Sequence, residues 1–337
     1  MSTKYLGNGT INGPHIRNDW TSQWKMKQVL IALIFPTIGA TYFFGWRSLV
    51  MIITSILTCV LLEGLIQKAS KQPITVNDLT AVITGWLLAL TLPTSAPLWT
   101  VLVGDFIAIV LVKHLGGGLG RNWINPAVAA RVLLKLFLSP WITNWIAPGS
   151  DVITTVTPLV ALGHFSREIS ATTPEWWKLF LGIDLGGPMG ETSKLLLLIA
   201  GGYLIVRKII HPFVPLLTLS SFYLAILIFS GFNFSFATAH LLSGALIMAA
   251  VFMVTDYTTS PATDKGKYYF AIGCGLLCAV LRIVLDLPGG IGVAIIVMNL
   301  AVPFIDQWTM HRVYGEKEFK ITPIIDKENR KGLSSFK

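Results

Sequence analysis

The sequence predicts an all-α integral membrane protein with about ten transmembrane helices, in two inverted five-helix repeats that contain broken helices. Three observations carry that expectation. Of 337 residues 53% are hydrophobic and only 13% are charged, which is not the balance of a soluble chain. Ten apolar runs follow one another between a polar lead-in and a polar, basic tail. Two short motifs recur five runs apart.

Residues 1–28 form a cytoplasmic or interfacial segment with Lys4, Arg17, Lys25 and Lys27, and Trp20 and Trp24 suit the lipid boundary. The first repeat, 29–139, holds apolar runs at about 29–44, 48–67, 78–92, 97–115 and 126–139. The third and fifth fall short of the roughly 20 residues a span needs, so they are expected as broken or tilted helices packed inside protein. Residues 140–191 form an outer loop. The second repeat, 192–307, holds runs at about 192–208, 211–231, 236–255, 267–286 and 289–307, and 308–337 is a basic cytoplasmic tail. No cleavable signal is read at the start, because the first apolar run follows about 28 polar residues.

The formal charge of +9 does not point to nucleic acid, since the basic residues sit at the ends of apolar runs. Lys68 and Lys71, Lys113 and Arg121, Arg207 and Lys208, Lys265 and Lys267, and the tail fall on one side. Asp151, Glu168, Glu175, Asp184 and Glu191 fall on the other. That bias places both termini in the cytoplasm and the chain in the cell membrane as a multi-pass protein.

The recurring motifs are glycine turns and Thr/Pro links. Gly117-Gly118-Leu119-Gly120, followed by Asn125-Pro126-Ala127, is echoed by Gly289-Gly290-Ile291-Gly292, followed by Asn299-Leu300-Ala301. Thr91-Leu92-Pro93-Thr94-Ser95-Ala96-Pro97 is echoed by Thr258-Thr259-Ser260-Pro261-Ala262-Thr263. Repeats separated by five spans have inverted topology, and such architectures place binding sites between the halves at interrupted helices.

Three places carry candidate chemistry. Asp151-Val152-Ile153-Thr154-Thr155-Val156-Thr157-Pro158-Leu159 is rich in β-branched residues and ends in proline, so it reads as extended chain at the membrane boundary. It either presents hydroxyls to a bulky reagent or is an ordinary strand. A threonine hydroxyl is a weak nucleophile, no base stands beside it in sequence, and any modification therefore needs a separate transferase. In the stretch from Gly116 to Ala127, the glycines permit close backbone approach. Asn125 before Pro126 reads as an N-cap with a first-turn proline, leaving a helix N-terminus suited to an anion or a polar ring edge. A capped re-entrant turn without a ligand explains the same residues. Asp105, near the middle of its run, is the best candidate for an ion or proton path, or else it pairs with a cation or is solvated.

Other groups carry weaker signals. Arg131 and Lys135 share a helix face and meet either a ligand phosphate or acidic partners. Cys59, Cys274, Cys278 and His240 read as core residues, and no metal site is expected.

At two of these places the chain resembles the NqrB/RnfD family, membrane subunits of the Rnf ion-translocating oxidoreductase and of the sodium-translocating NADH:quinone oxidoreductase. The family's Asp, then Ser/Thr-x-Ala-Thr-Pro-Leu, is similar to the stretch from Asp151 to Leu159. Thr155 stands here where glycine is usual, and Val156 where alanine is usual. The resemblance implies that Thr157 carries covalent FMN through a phosphoester, with Thr154 and Asp151 as the supporting motif. The family's Gly-Gly-x-Gly-x-Asn-x-x-Asn-Pro-Ala is similar to Gly117–Ala127. It implies a non-covalent riboflavin about Gly118, Gly120, Asn122, Trp123 and Asn125. The resemblance extends from Gly13-Pro14-His15-Ile16 through Thr255-Asp256 and Ser260-Pro261 to Asn299-Leu300-Ala301.

The resemblance implies a flavin-carrying subunit of a ferredoxin:NAD oxidoreductase complex, a translocase that relays electrons across the membrane coupled to Na⁺ or H⁺ movement. Its implied partners are the other membrane and peripheral Rnf subunits, a flavin transferase and the lipid bilayer. The chain carries no NADH-binding motif and no cysteine cluster for iron–sulfur, so electrons must come from those partners. The competing reading is an inverted-repeat solute channel or transporter with no redox cofactor.

Overall fold

The computed structural model describes residues 21–71, 74–114, 122–146, 159, 162, 175–183 and 185–310. Each of the ten apolar runs holds helix. Helices α1 (Ser22–Phe44), α2 (Trp46–Ala69), α3 (Thr80–Leu90), α4 (Leu98–Phe106, continued as a π-helical stretch, Ile107–His114) and α5 (Pro126–Phe137) form the first half. Two short helices, α6 (Ser139–Ile142) and α7 (Trp176–Leu181), lie in the connection. The second half holds α8 (Lys194–Val206), α9 (Phe213–Phe229), α10 (Phe234–Leu242), α11 (Leu246–Met248, continued as a π-helical turn, Ala249–Met253), α12 (Asp264–Ile283) and α13 (Gly290–Thr309).

Four of these helices are long and apolar enough to cross a bilayer by length and composition: α1, α2, α12 and α13. The pair α10 and α11, bent by 65°, makes a fifth when counted as one broken span. The short third and fifth runs form helices of 11 and 12 residues inside the bundle. Such pieces are tolerated at membrane depth only where protein surrounds them.

The helices start where side chains can satisfy their free N–H groups. Thr21 caps α1, Asn125 caps α5, Ser193 caps α8, Asn233 caps α10 and Thr263 caps α12. Inside α1, Pro36 cannot donate a backbone hydrogen bond. The Thr37 hydroxyl donates to the Leu33 carbonyl at 2.8 Å and accepts the Trp86 indole N–H at 2.8 Å, which ties α3 to α1.

Packing partners correspond between the halves. In the first, α2 packs on α3 and α4, and α4 with its π-helical stretch packs on α5; in the second, α9 packs on α10 and α12, and α12 packs on α13. The halves meet through α1 against α8 and α5 against α13. Small residues make the closest approaches. A Cβ on Gly85 would lie 2.7 Å from the Ser55 carbonyl oxygen, and one on Gly275 would lie 2.5 Å from that of Thr218, so both crossings need glycine.

Side-chain contacts tie neighbouring helices together near their ends. At one end Gln28 of α1 accepts from the Tyr203 hydroxyl at 2.6 Å and from Arg207 Nε at 3.2 Å, and Lys25 lies over the Tyr257 ring. At the other, Arg47 donates to the Ala96 carbonyl at 3.3 Å and Ser95 donates to that of Asn144. The first end carries the basic residues that the sequence places in the cytoplasm.

Candidate functional site

Two cavities lie along α5, one on each side of its first turn. The inner one, about 80 Å³, is lined by Asn122, Asn125, Pro126 and Ala127, by Thr80, Thr84 and Leu87, by Lys113, and by Val251, Phe252, Thr255, Asp256 and Tyr257. The outer one, about 590 Å³, begins at Val128 and is lined by Arg131, Val132, Lys135, Thr91, Glu191, Lys194, Ser243, Met253, Leu159, Gly289 and Gly292, among others. Consecutive residues, Ala127 with Val128 and Phe252 with Met253, therefore face different cavities.

In the inner cavity Asn125 ties the start of α5 to the opposite half. Its Oδ1 accepts from Ala127 N at 3.1 Å and Val128 N at 3.2 Å, and its Nδ2 donates to Asp256 Oδ2 at 3.2 Å. Asp256 also accepts from the Thr258 and Thr259 hydroxyls at 2.9 and 3.0 Å. Burial pushes its carboxyl up from the ordinary range, and these hydrogen bonds pull it back. Lys113 Nζ donates to Glu63 Oε1 and to the Thr80 hydroxyl, each at 2.7 Å. The charge pattern puts Lys113 in a cytoplasmic loop; it is instead buried, since an ammonium taken out of water needs a carboxylate, and Glu63 supplies it.

The outer cavity is rich in cations. Among the described residues, Arg131, Lys135 and Lys194 line it against the single carboxylate of Glu191. Burial pushes the Glu191 carboxyl up against the pull of Lys194, Arg131, Arg282 and Lys135. Lys194 Nζ donates to the Glu191 and Gly244 carbonyls. Arg131 Nη1 and Ser243 Oγ are buried without a hydrogen-bond partner among the described residues. Ser243 lies at the break between α10 and α11, and Leu159, which follows Thr157 by two positions, lines the same space.

Asp105 is fully buried between helices α2, α3 and α4. Its Oδ1 accepts from the Ser55 hydroxyl at 2.6 Å and the Cys59 thiol at 3.3 Å, and Ser55 also donates to the Gly85 carbonyl at 2.8 Å. The expected alternatives for this residue, a cationic partner or solvent, are both replaced by hydroxyl and thiol donors. A carboxyl can be held this way because each donor offsets part of its lost hydration.

Of the residues singled out from sequence, Asn122 and Asn125 are brought together in one cavity. Trp123 is 75% exposed and does not line that cavity, because it sits in the bend just before the cap. Asp151, Thr154, Thr157, Gly118 and Gly120 lie outside the described residues. Cys59, Cys274 and Cys278 are buried free thiols, and among the described residues no group of His, Cys, Asp and Glu could hold a metal ion. Sequence reasoning misses Lys194 and Ser243, and reads Glu191 and Lys113 only as loop charges. A signal exists for one pair: Glu191 and Lys194 stand three apart on either side of a helix cap.

Among the described residues, a helical bundle with charged groups enclosed among apolar helices defines a multi-pass membrane protein. The chain belongs to the NQR2, RnfD, RnfE family, whose model matches residues 10–315. It is 40% identical over 314 residues to the D subunit of the Na⁺-translocating ferredoxin:NAD⁺ oxidoreductase complex of Acetobacterium woodii, covering 92% of this chain and 96% of that one. It is 34% identical over 317 residues to the D subunit of the proton-translocating ferredoxin:NAD⁺ oxidoreductase complex of Clostridium ljungdahlii, covering 91% and 96%. The D subunit of the ion-translocating oxidoreductase complex of Halorhodospira halophila is 32% identical, with 94% and 98% covered.

Proposed function

We propose that this chain is the flavin-carrying membrane subunit of an Rnf-type ferredoxin:NAD oxidoreductase complex, and that it relays electrons across the cytoplasmic membrane in a process coupled to Na⁺ or H⁺ translocation. The full-length similarity to the D subunits of such complexes supports the assignment, and leaves the solute-transporter reading without support. The relatives from A. woodii and C. ljungdahlii differ in the ion they are named for, so the coupling ion does not follow from the similarity. Its partners are the other membrane and peripheral subunits of the complex, together with a flavin transferase.

The observation that carries the flavin part is the outer cavity. Its volume of about 590 Å³ lies within the range of cofactor pockets, and the described residues of its lining include three cations against one carboxylate. An uncompensated buried charge costs several kcal/mol, so an anionic occupant fits the donor set. Leu159, two positions after Thr157 in sequence, lies on its wall. We therefore assign covalent FMN, attached to Thr157, to the outer cavity. A bound flavin supplies one-electron redox chemistry, while Arg131, Lys135 and Lys194 supply the charge that holds it.

The inner cavity is the proposed position for non-covalent riboflavin, and here the fit is chemical only. The polar groups of Asn122, Asn125, Thr80 and Lys113 suit the edge of a ring. A space of about 80 Å³ equals two or three water volumes, however, and does not hold a three-ring system as bounded by the described residues. Asp105 is proposed on the ion path, because it is a buried carboxyl held by one hydroxyl and one thiol, with no cation in ion-pair contact among the described residues.

The reading is tested by purifying the chain from cells that flavinylate their proteins and recording its visible spectrum before and after acid precipitation. Flavin absorbance retained in the pellet supports the covalent cofactor. A colourless native protein overturns the reading.

A further inference from the structure

The glycine turn at 289–292 is the second copy of a sequence motif whose first copy, at 117–120, precedes Asn122 and Asn125, and the function proposed above gives it no task. In the structure it forms the start of α13 and part of the wall of the outer cavity. A Cβ on Gly289 would lie 3.0 Å from Lys135 Nζ, and one on Gly292 would lie 3.0 Å from Val132 Cγ2. The two glycines thus let the first turn of α13 close on the cavity face of α5.

This contact joins charges of the same sign. The first turn of a helix carries partial positive charge, and the Lys135 ammonium lies against that of α13, where Gly290 N donates to the Leu287 carbonyl and Gly292 N to that of Gly289. No described carboxylate lies within ion-pair distance of Lys135. One turn earlier on α5, Arg131 Nη1 is buried without a partner among the described residues. Ser243 Oγ, in a residue 1% exposed, lines the same space and likewise has none among them. Glu191 is the described carboxylate whose charge reaches Arg131 and Lys135, and with Lys194 they outnumber it, so without an anionic occupant the described residues leave excess positive charge in a low-dielectric setting. With an anion between the ammonium, the guanidinium and the helix start the arrangement becomes attractive, and charge-assisted hydrogen bonds satisfy each orphaned donor.

We infer that Lys135, Arg131 and the glycine turn at the start of α13 form the anion subsite of the outer cavity, which takes the phosphate group of the occupant. The inference rests on the proposed function for the identity of that occupant, a phosphoester-linked flavin. The subsite itself follows from the cavity's own residues. Its ligand class is a phosphate or phosphoester anion, and Ser243 adds a neutral donor.

The test uses the full-length protein made with and without a flavin transferase, as wild type, Lys135→Met, Arg131→Met and Gly289→Ala. The readout is the midpoint of thermal unfolding in detergent. On the unflavinylated protein, inorganic phosphate should raise the wild-type midpoint in a saturable way. That rise should be lost in Lys135→Met and Arg131→Met, and reduced in Gly289→Ala, which keeps the charge but displaces it. Lys135→Met should also stabilise the unflavinylated protein and destabilise the flavinylated one relative to wild type, a reversal of sign that a merely structural lysine would not produce. A phosphate rise in a wild type that never acquires covalent flavin would keep the subsite and sink the flavin reading. A wild type insensitive to phosphate, or Lys135→Met shifting both forms in the same direction, would overturn the subsite.

Discussion

The Lys113 ammonium meets the Glu63 carboxylate at 2.7 Å, with the two side chains only 2% and 1% exposed. The pair joins the end of the π-helical stretch to the face of α2 and borders the inner cavity through Lys113. Gln67 Nε2, one turn further along α2, donates to Glu63 at 3.3 Å and to Thr75 at 2.9 Å.

Removing one partner of this pair leaves a buried charge without compensation. Lys113→Met or Glu63→Gln should each destabilise the protein by about 3–5 kcal/mol, whereas the double variant Lys113→Met/Glu63→Met should lose less than either. Thermal unfolding in detergent checks this. Equal losses in the double and single variants would show that the pair is not the source of the cost.

The asparagines of the inner cavity have separable tasks. Asn125→Ala removes both the α5 cap and the tie to Asp256, and should cost about 1–2 kcal/mol of stability. Asn122→Leu should lower the non-covalent riboflavin extracted by acid while leaving the α5 cap in place. Covalent flavin should stay in place in both variants. Unchanged riboflavin in both would leave Asn125 with its capping role alone.

Asp105→Asn preserves an acceptor for Ser55 and Cys59 and removes the ability to ionise. In the assembled complex, reconstituted into vesicles, this variant should retain its flavin content and lose ferredoxin-driven ion uptake. Uptake at the wild-type rate would remove Asp105 from the ion path.

The loop charges place Glu175 outside and Lys71 and Lys265 inside. Since the wild-type cysteines at 59, 274 and 278 are buried, a single new cysteine beside each position can be read in intact cells. One at Glu175 should react with an impermeant maleimide, and those at Lys71 and Lys265 should react only after lysis. The reverse pattern would move the stretch around Thr157 to the cytoplasmic side and overturn the orientation.

Helix positions are legible in the sequence because each rests on local chemistry. Asn125-Pro126 announces the start of α5, and the shortness of the third run announces the interior helix α3. The site's charges are not legible, because their meaning depends on partners far along the chain. Lys113 and Glu63 are 50 positions apart, as are Asp105 and Ser55, so each reads as an isolated charge or as a candidate for solvation. Ser243 gives no signal beyond the following glycine, and only the 65° bend of the α10–α11 pair shows why a helix break there opens onto a cavity. Trp123 fails as a neighbour of the asparagines for a related reason: adjacency in sequence does not fix side-chain direction in a bend.

The central claim is the covalent flavin on Thr157, and peptide mass spectrometry of the segment from Asp151 to Leu159 in the native complex tests it most directly. A phosphoester adds the mass of FMN minus water, and the flavin should survive denaturation and fluoresce in a gel. Thr157→Val keeps size and branching and loses only the hydroxyl, so the protein should fold as before while the added mass and the fluorescence disappear. Thr154→Val should lower the yield but keep the site. We expect the modified mass on Thr157 at full yield in the wild type and at reduced occupancy in the Thr154 variant. An unmodified wild-type segment, from cells that flavinylate other proteins, would contradict the account.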